Sequence, residues 1–144
     1  MTKKLGVVFG AGVLLLATVP VWAHHAFAAE FDANKPIKFK GTVSKMEWIN
    51  PHAWLHLDVK GDDGKVTTWM IEAAAPNSLL RRGFTKYSLA AGTELIVEGF
   101  QAKDGSNRAN GSVITFTDGR KLFVGNAAGD AGAAPGAVPE TTDK

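Results

Sequence analysis

The chain contains no cysteine in its 144 residues, which excludes a disulfide framework and all thiol chemistry. It carries no GxSxG serine setting, no HExxH, no phosphate-cradling glycine loop and no dinucleotide fingerprint. Glu47, Glu72, Glu94 and Glu98 are lone carboxylates along strand-like segments, where solvation or pairing with lysine is the ordinary outcome, so an enzyme is not expected. An excess of positive charge is missing too. Of 16 Lys and Arg, Lys3 and Lys4 fall in an N-terminal leader, and the 14 that are left balance 14 Asp and Glu. A neutral domain argues against nucleic acid, whose binding needs a basic surface that releases counterions.

Long apolar runs are scarce as well. Leu5–Thr18 is apolar with interspersed glycines but shorter than the roughly 20 residues that span a bilayer. With Lys3 and Lys4 before it and Val21-Trp22-Ala23 after it, residues 1–23 read as a signal peptide cleaved after Ala23. The expected location is the periplasm or the exterior, with no stable membrane insertion after cleavage. The mature chain of 121 residues is long enough for one small domain with its own core. At the other end, residues 125–144 (GNAAGDAGAAPGAVPETTDK) offer no large apolar side chain beyond Val138, and a disordered tail is expected. The folded domain is then 30–124, preceded by an N-terminal arm, 24–29.

Within that domain the periodicity is that of strands. Ile37–Val43 alternates and continues to Trp48, with Gly41 as the expected bend or bulge. In AWLHLDVK, Ala53, Leu55, Leu57 and Val59 share one face, and His52, Trp54, His56 and Asp58 the other. Asp62-Asp63-Gly64 turns this second strand into KVTTWMIEA. Pro76-Asn77-Ser78 starts a short helix that Gly83 stops. ELIVEGFQA, then SVITFT after a loop over 104–111, complete the set, and Asp118-Gly119 leads into RKLFV. Three strands, a helix and two strands predict an all-β domain with one short helix, in the order of an OB-like five-stranded Greek-key barrel. An open antiparallel sheet or a small sandwich is the alternative.

The segments HHAFAAEFD, WINPHAWLHLDV, WMIEAAAPNSLLRRG, VEGFQAKDGSNRANG and DGRKLF resemble, in this order, a bacterial secreted family catalogued as a domain of unknown function, number 6152. The resemblance covers nearly all of residues 23–124. It implies a periplasmic or exported protein with a small β-rich domain and brings no activity; His56 stands where the family more usually has an aromatic residue.

The four histidines form two groups, His24 with His25 and His52 with His56. A free N-terminal histidine chelates through its α-amine and ring together, and a histidine in second place does so through amine, backbone nitrogen and ring. Such nitrogen-rich tetragonal sets favour Cu(II), or Ni(II) where it is available. Along a strand His52 and His56 stand about 13 Å apart, so only one can join the arm. The expected metal set is His24, His25 and His52, with Glu72 as an oxygen ligand or as a group that fixes the imidazole. Against it stands the plainer reading of a polar arm and a turn-bonded His52. A second functional reading needs no metal: Trp54 and His56, with Trp69 or Met70 beside them, present a face for a periplasmic small molecule, glycan or protein partner. Trp48 and Trp69 are expected to pack internally. The Asp-Gly segments at 62–64, 104–107 and 118–119 read as turns, since none has a complete calcium loop.

Overall fold

Alternating apolar side chains can leave water only by sharing one sheet face, and six segments do so in the computed structural model, which describes residues 27–125. The leader, His24, His25 and everything after Gly125 lie outside the described residues. The strands are β1 (Phe31–Glu47), β2 (Trp54–Lys60), β3 (Val66–Glu72), β4 (Glu94–Ala102), β5 (Arg108–Phe116) and β6 (Lys121–Phe123), with a short helix α1 (Pro76–Arg81) between β3 and β4. The domain is thus mostly β, as the periodicity predicts. Among the described residues no helix is long and apolar enough to cross a membrane.

The six strands form one sheet in the order β3-β2-β1-β4-β5-β6, and β3 also pairs with β5. All neighbours are antiparallel except β3 and β5, which run parallel through Met70–Arg108, Ile71–Ala109 and Glu72–Asn110. The long first strand serves two partners. Residues 36–42 pair with β4 and residues 42–47 with β2, Thr42 lying opposite both Glu94 and Asp58.

The expected bulge at Gly41 is not there: Gly41 stays in register with Leu95, and the extra residue is Ser44, between the Val43–Leu57 and Lys45–His56 pairs. The Ser44 hydroxyl donates to the His56 carbonyl at 3.2 Å. Gly41 is small for a different reason, since a Cβ there would stand 2.7 Å from the Asp58 carbonyl oxygen and 2.8 Å from Leu57 Cγ. β5 begins at Arg108, so part of the expected 104–111 loop is strand. Its bulge is Ser112, skipped between the Gly99–Gly111 and Glu98–Val113 pairs.

The core follows the predicted face of β2. Ala53, Leu55 and Leu57 are buried with Val43, Ile71, Leu95, Val97, Ala109 and Ile114. α1 seals it with Leu79, and Phe84 and Leu89 follow from the next loop. Trp48 and Trp69 pack against this core, and the Trp69 ring lies 4.4 Å from that of Phe39. In the acidic turns Asp63, Asp104 and Asp118 each accept the amide two residues on, which ties these carboxylates to their own turns.

Candidate functional site

Where the inward residues of β2 make core, its outward residues meet their counterparts on β3 and β5. Pairing sets Trp54 opposite Glu72, Glu72 opposite Asn110, and Asn110 opposite Phe100. Cross-strand partners share a face, so these four form one outward row across β2, β3, β5 and β4. The row below it is His56, Met70 and Arg108. Met70 is therefore the β3 residue beside His56. Trp69 pairs with Leu57 and belongs to the inward face, which removes it from the expected ligand face.

His52 stands just before β2, after a cis Asn50–Pro51 peptide, and reaches this row. Its Nδ1 is 3.3 Å from Glu72 Oε1, the side chains being 27% and 11% exposed. The Asn110 amide donates to the same carboxylate oxygen at 3.4 Å. Asn110 Oδ1 and Ser112 Oγ are buried with no hydrogen-bond partner among the described residues. Burial pushes the Glu72 carboxyl above the usual carboxylate range; Glu30 adds to this, whereas His52, Asn110 and Arg108 oppose it.

His56 belongs to a different group. Its Nε2 is 3.4 Å from Glu47 Oε1, within ion-pair range but without hydrogen-bond alignment. Glu47 is bound by Lys45, and that bond leads the causes that hold its carboxyl below the usual range. The structure thus brings His52 together with Glu72 and assigns His56 to another carboxylate. Among the described residues no group of three or more His, Cys, Asp or Glu is arranged to hold a metal ion.

Four residues that sequence reasoning did not single out complete the site. The Arg108 guanidinium lies 5.4 Å from the Trp54 ring centre and donates to Glu30 Oε2 at 3.1 Å. Asn110 is the other Glu72 partner, and Phe100 meets Phe27 edge to face at 5.8 Å. Asn110-Gly111 reads as a turn, so composition concealed its place in β5; only the strand pairing shows it.

The raised Glu72 pKa has a consequence for stability. A carboxyl whose folded pKa exceeds its unfolded value favours folding while protonated, and that contribution is lost as pH rises through the folded value. At neutral pH the buried carboxylate is a cost. Glu72→Gln, which keeps an acceptor for Asn110, is expected to raise the melting temperature of the metal-free protein at pH 7. The gain should vanish below about pH 4, where the wild-type carboxyl is also neutral. Thermal melts across that range check it.

A family model described as Family of unknown function (DUF6152) matches residues 12–111. That span includes both histidine groups, Trp54 and Glu72. No curated protein and no solved structure matches.

Proposed function

The chain belongs to the family of unknown function DUF6152, whose description carries no activity, and we propose from the site itself that it is an exported binding module for cupric copper. The observation that carries this reading is the His52–Glu72 pair, 3.3 Å apart, in the cross-strand row whose Phe100 packs against Phe27. A carboxylate against one ring nitrogen fixes the orientation of an imidazole, the usual arrangement at histidine metal sites. The N-terminal histidine supplies amine and ring after cleavage at Ala23; His25 or a backbone nitrogen completes a tetragonal set. Glu72 acts as the orienting group, and a bound cation offsets the cost of its buried charge.

The pairing circuit β1–β2–β3–β5–β4–β1 supports an OB-like five-stranded barrel as the scaffold, with β6 as an added edge strand. The alternative, a non-metal ligand on Trp54 and His56, fits less well. Arg108 already covers the Trp54 ring, and the His56 Nε2 is buried toward Glu47.

The test uses protein exported by a bacterial host through its own leader, with the N-terminus read by mass spectrometry. Cu(II) at a hundredfold over Kd is expected to give a d-d absorption band and about 2.7 kcal/mol of stabilisation. For a domain of this size that is a rise of order 10–20 °C in Tm. An N-terminus other than His24, or no band and no shift, rejects the copper reading.

A further inference from the structure

Two segments distant in sequence, β6 and the chain around α1, are tied together. Before the helix the Ala74 amide donates to the Val124 carbonyl at 2.7 Å. After it the Arg82 guanidinium donates to the Gly125 carbonyl at 2.7 Å and to the Phe123 carbonyl at 3.4 Å. The chain beyond Arg82 stays folded on itself, with the Phe84 amide on the Leu79 carbonyl and the Ser88 amide on the Thr85 carbonyl. Lys86 and Tyr87 form the tip of that second turn.

Exposed apolar side chains and unneutralised positive charge coincide on this surface. Of the five large apolar side chains exposed among the described residues, three are here: Leu80 at 49%, Tyr87 at 76% and Phe123 at 41%. No acidic residue lies between Glu72 and Glu94. Among the described residues Arg81, Arg82, Lys86 and Lys121 form no ion pair, whereas six other lysines and arginines each hold a carboxylate. Two of the four sit on aromatic rings instead. The Arg82 guanidinium is 4.9 Å from the Phe123 ring centre, and the Lys86 ammonium is 4.9 Å from that of Tyr87. Lys121 precedes Phe123 by two residues on β6 and so shares its face.

We propose that the α1–β6 surface docks the domain on a bilayer carrying anionic phospholipid. Leu80, Tyr87 and Phe123 enter the headgroup boundary, and the four cations meet the phosphates. The inference is independent of the copper reading and shares no residue with the His52–Glu72 group. Charge complementarity selects an anionic partner. Shape selects lipid among anionic partners. The apolar side chains project from a helix, a turn tip and a strand, and a fluid surface accepts such projections one by one. A protein would have to present a matching depression for each. Aromatic rings settle at headgroup level, while lysine and arginine stems lie along apolar material with their charge outside it. Contact of this depth needs no membrane-crossing helix.

The experiment is co-sedimentation of the exported protein, kept metal-free with a chelator, with vesicles of equimolar phosphatidylglycerol and phosphatidylcholine or of phosphatidylcholine alone. Amide exchange of the vesicle-bound state locates the contact. Wild type is expected to bind the anionic vesicles and to release them at high salt. Each cation near an anionic bilayer changes partitioning about fivefold, so Arg81→Gln/Lys86→Gln should weaken binding about 25-fold. Tyr87→Ser should weaken it by more than about tenfold, whereas Tyr87→Trp should bind as wild type does. Lys35→Gln/Lys60→Gln removes the same charge from exposed positions on β1 and at the far end of β2, and should stay within about twofold. Exchange protection should be gained at residues 79–88 and 121–124. No binding to anionic vesicles, equal binding to phosphatidylcholine alone, equal losses for the two charge-removing pairs, or protection gained at another surface overturns the proposal. If Arg81→Gln/Lys86→Gln loses binding while Tyr87→Ser keeps it, charge alone is being read, as by an acidic protein, and the lipid assignment falls.

Discussion

Gly99→Ala is expected to abolish the folded domain. A Cβ at residue 99 would stand 2.0 Å from the Asn110 carbonyl oxygen and 3.0 Å from the carbon that bears it. Both are backbone atoms, so no rotamer change relieves the overlap; β4 and β5 would have to separate where Gly99 pairs with Gly111. Gly111 leaves no slack on the other side, because its own Cβ position is 2.8 Å from Ile71 Cγ2 and 3.2 Å from the Glu72 carbonyl. Separation there breaks the ladder that carries Ala109 and Ile114 into the core. The cost should match or exceed the about 4–5 kcal/mol that marks the most damaging single substitutions. A domain has only about 5–15 kcal/mol to lose. Gly64→Ala is the control: its φ of 80° disfavours a side chain, yet nothing lies within 4 Å of the new Cβ. That change should cost about 1–2 kcal/mol and leave a cooperative melt. Circular dichroism and thermal unfolding of both variants decide the matter. A Gly99→Ala protein melting within a few degrees of wild type would show that the two strands can part.

What sequence reveals and conceals here follows from the range of each interaction. β2 is legible because its information is local: alternate residues face the core, and Ala53, Leu55 and Leu57 are buried as their spacing requires. α1 is legible from Pro76 at one end and Gly83 at the other, whose φ of 83° suits glycine. The bulge is not local. Gly41 carries the expected glycine, yet what it accommodates is the Asp58 backbone across the sheet, and the register shifts at Ser44, whose composition signals nothing. Gly99 and Gly111 are concealed for the same reason, since each is small on account of a chain distant in sequence. The site divides likewise. His52 and Glu72 could be paired from adjacent strand ends, whereas Asn110 and Arg108 reach them only through the parallel β3–β5 pairing, which no periodicity announces. Glu30 depends on the two ends of the domain meeting, and only the fold brings residues 30 and 108 together.

His52→Ala and His56→Ala are expected to diverge sharply in copper affinity, although the two residues lie four apart and are both partly exposed. His52 has a ring nitrogen 3.3 Å from a carboxylate that burial makes reluctant to ionise. A cation close to that carboxylate favours its charged form, so copper bound as proposed and Glu72 ionisation would reinforce each other through the imidazole. Removing an orienting partner such as Glu72 costs about 10–100-fold in metal affinity. Removing the imidazole takes away both the ligand and the link to Glu72, so the loss for His52→Ala should exceed that range. His56 has its Nε2 against Glu47, which Lys45 already binds, and it stands in the row of Met70 and Arg108, away from Glu72. His56→Ala should leave affinity within about twofold, because about 0.4 kcal/mol is all that such a change represents. Competition titrations with a chromophoric Cu(II) chelator measure both. Equal losses would mean that the ion draws on both histidines, against their separate carboxylate partners, Glu72 for His52 and Glu47 for His56. A loss only for His56→Ala would move the site to the Glu47 group and remove the N-terminal arm from it.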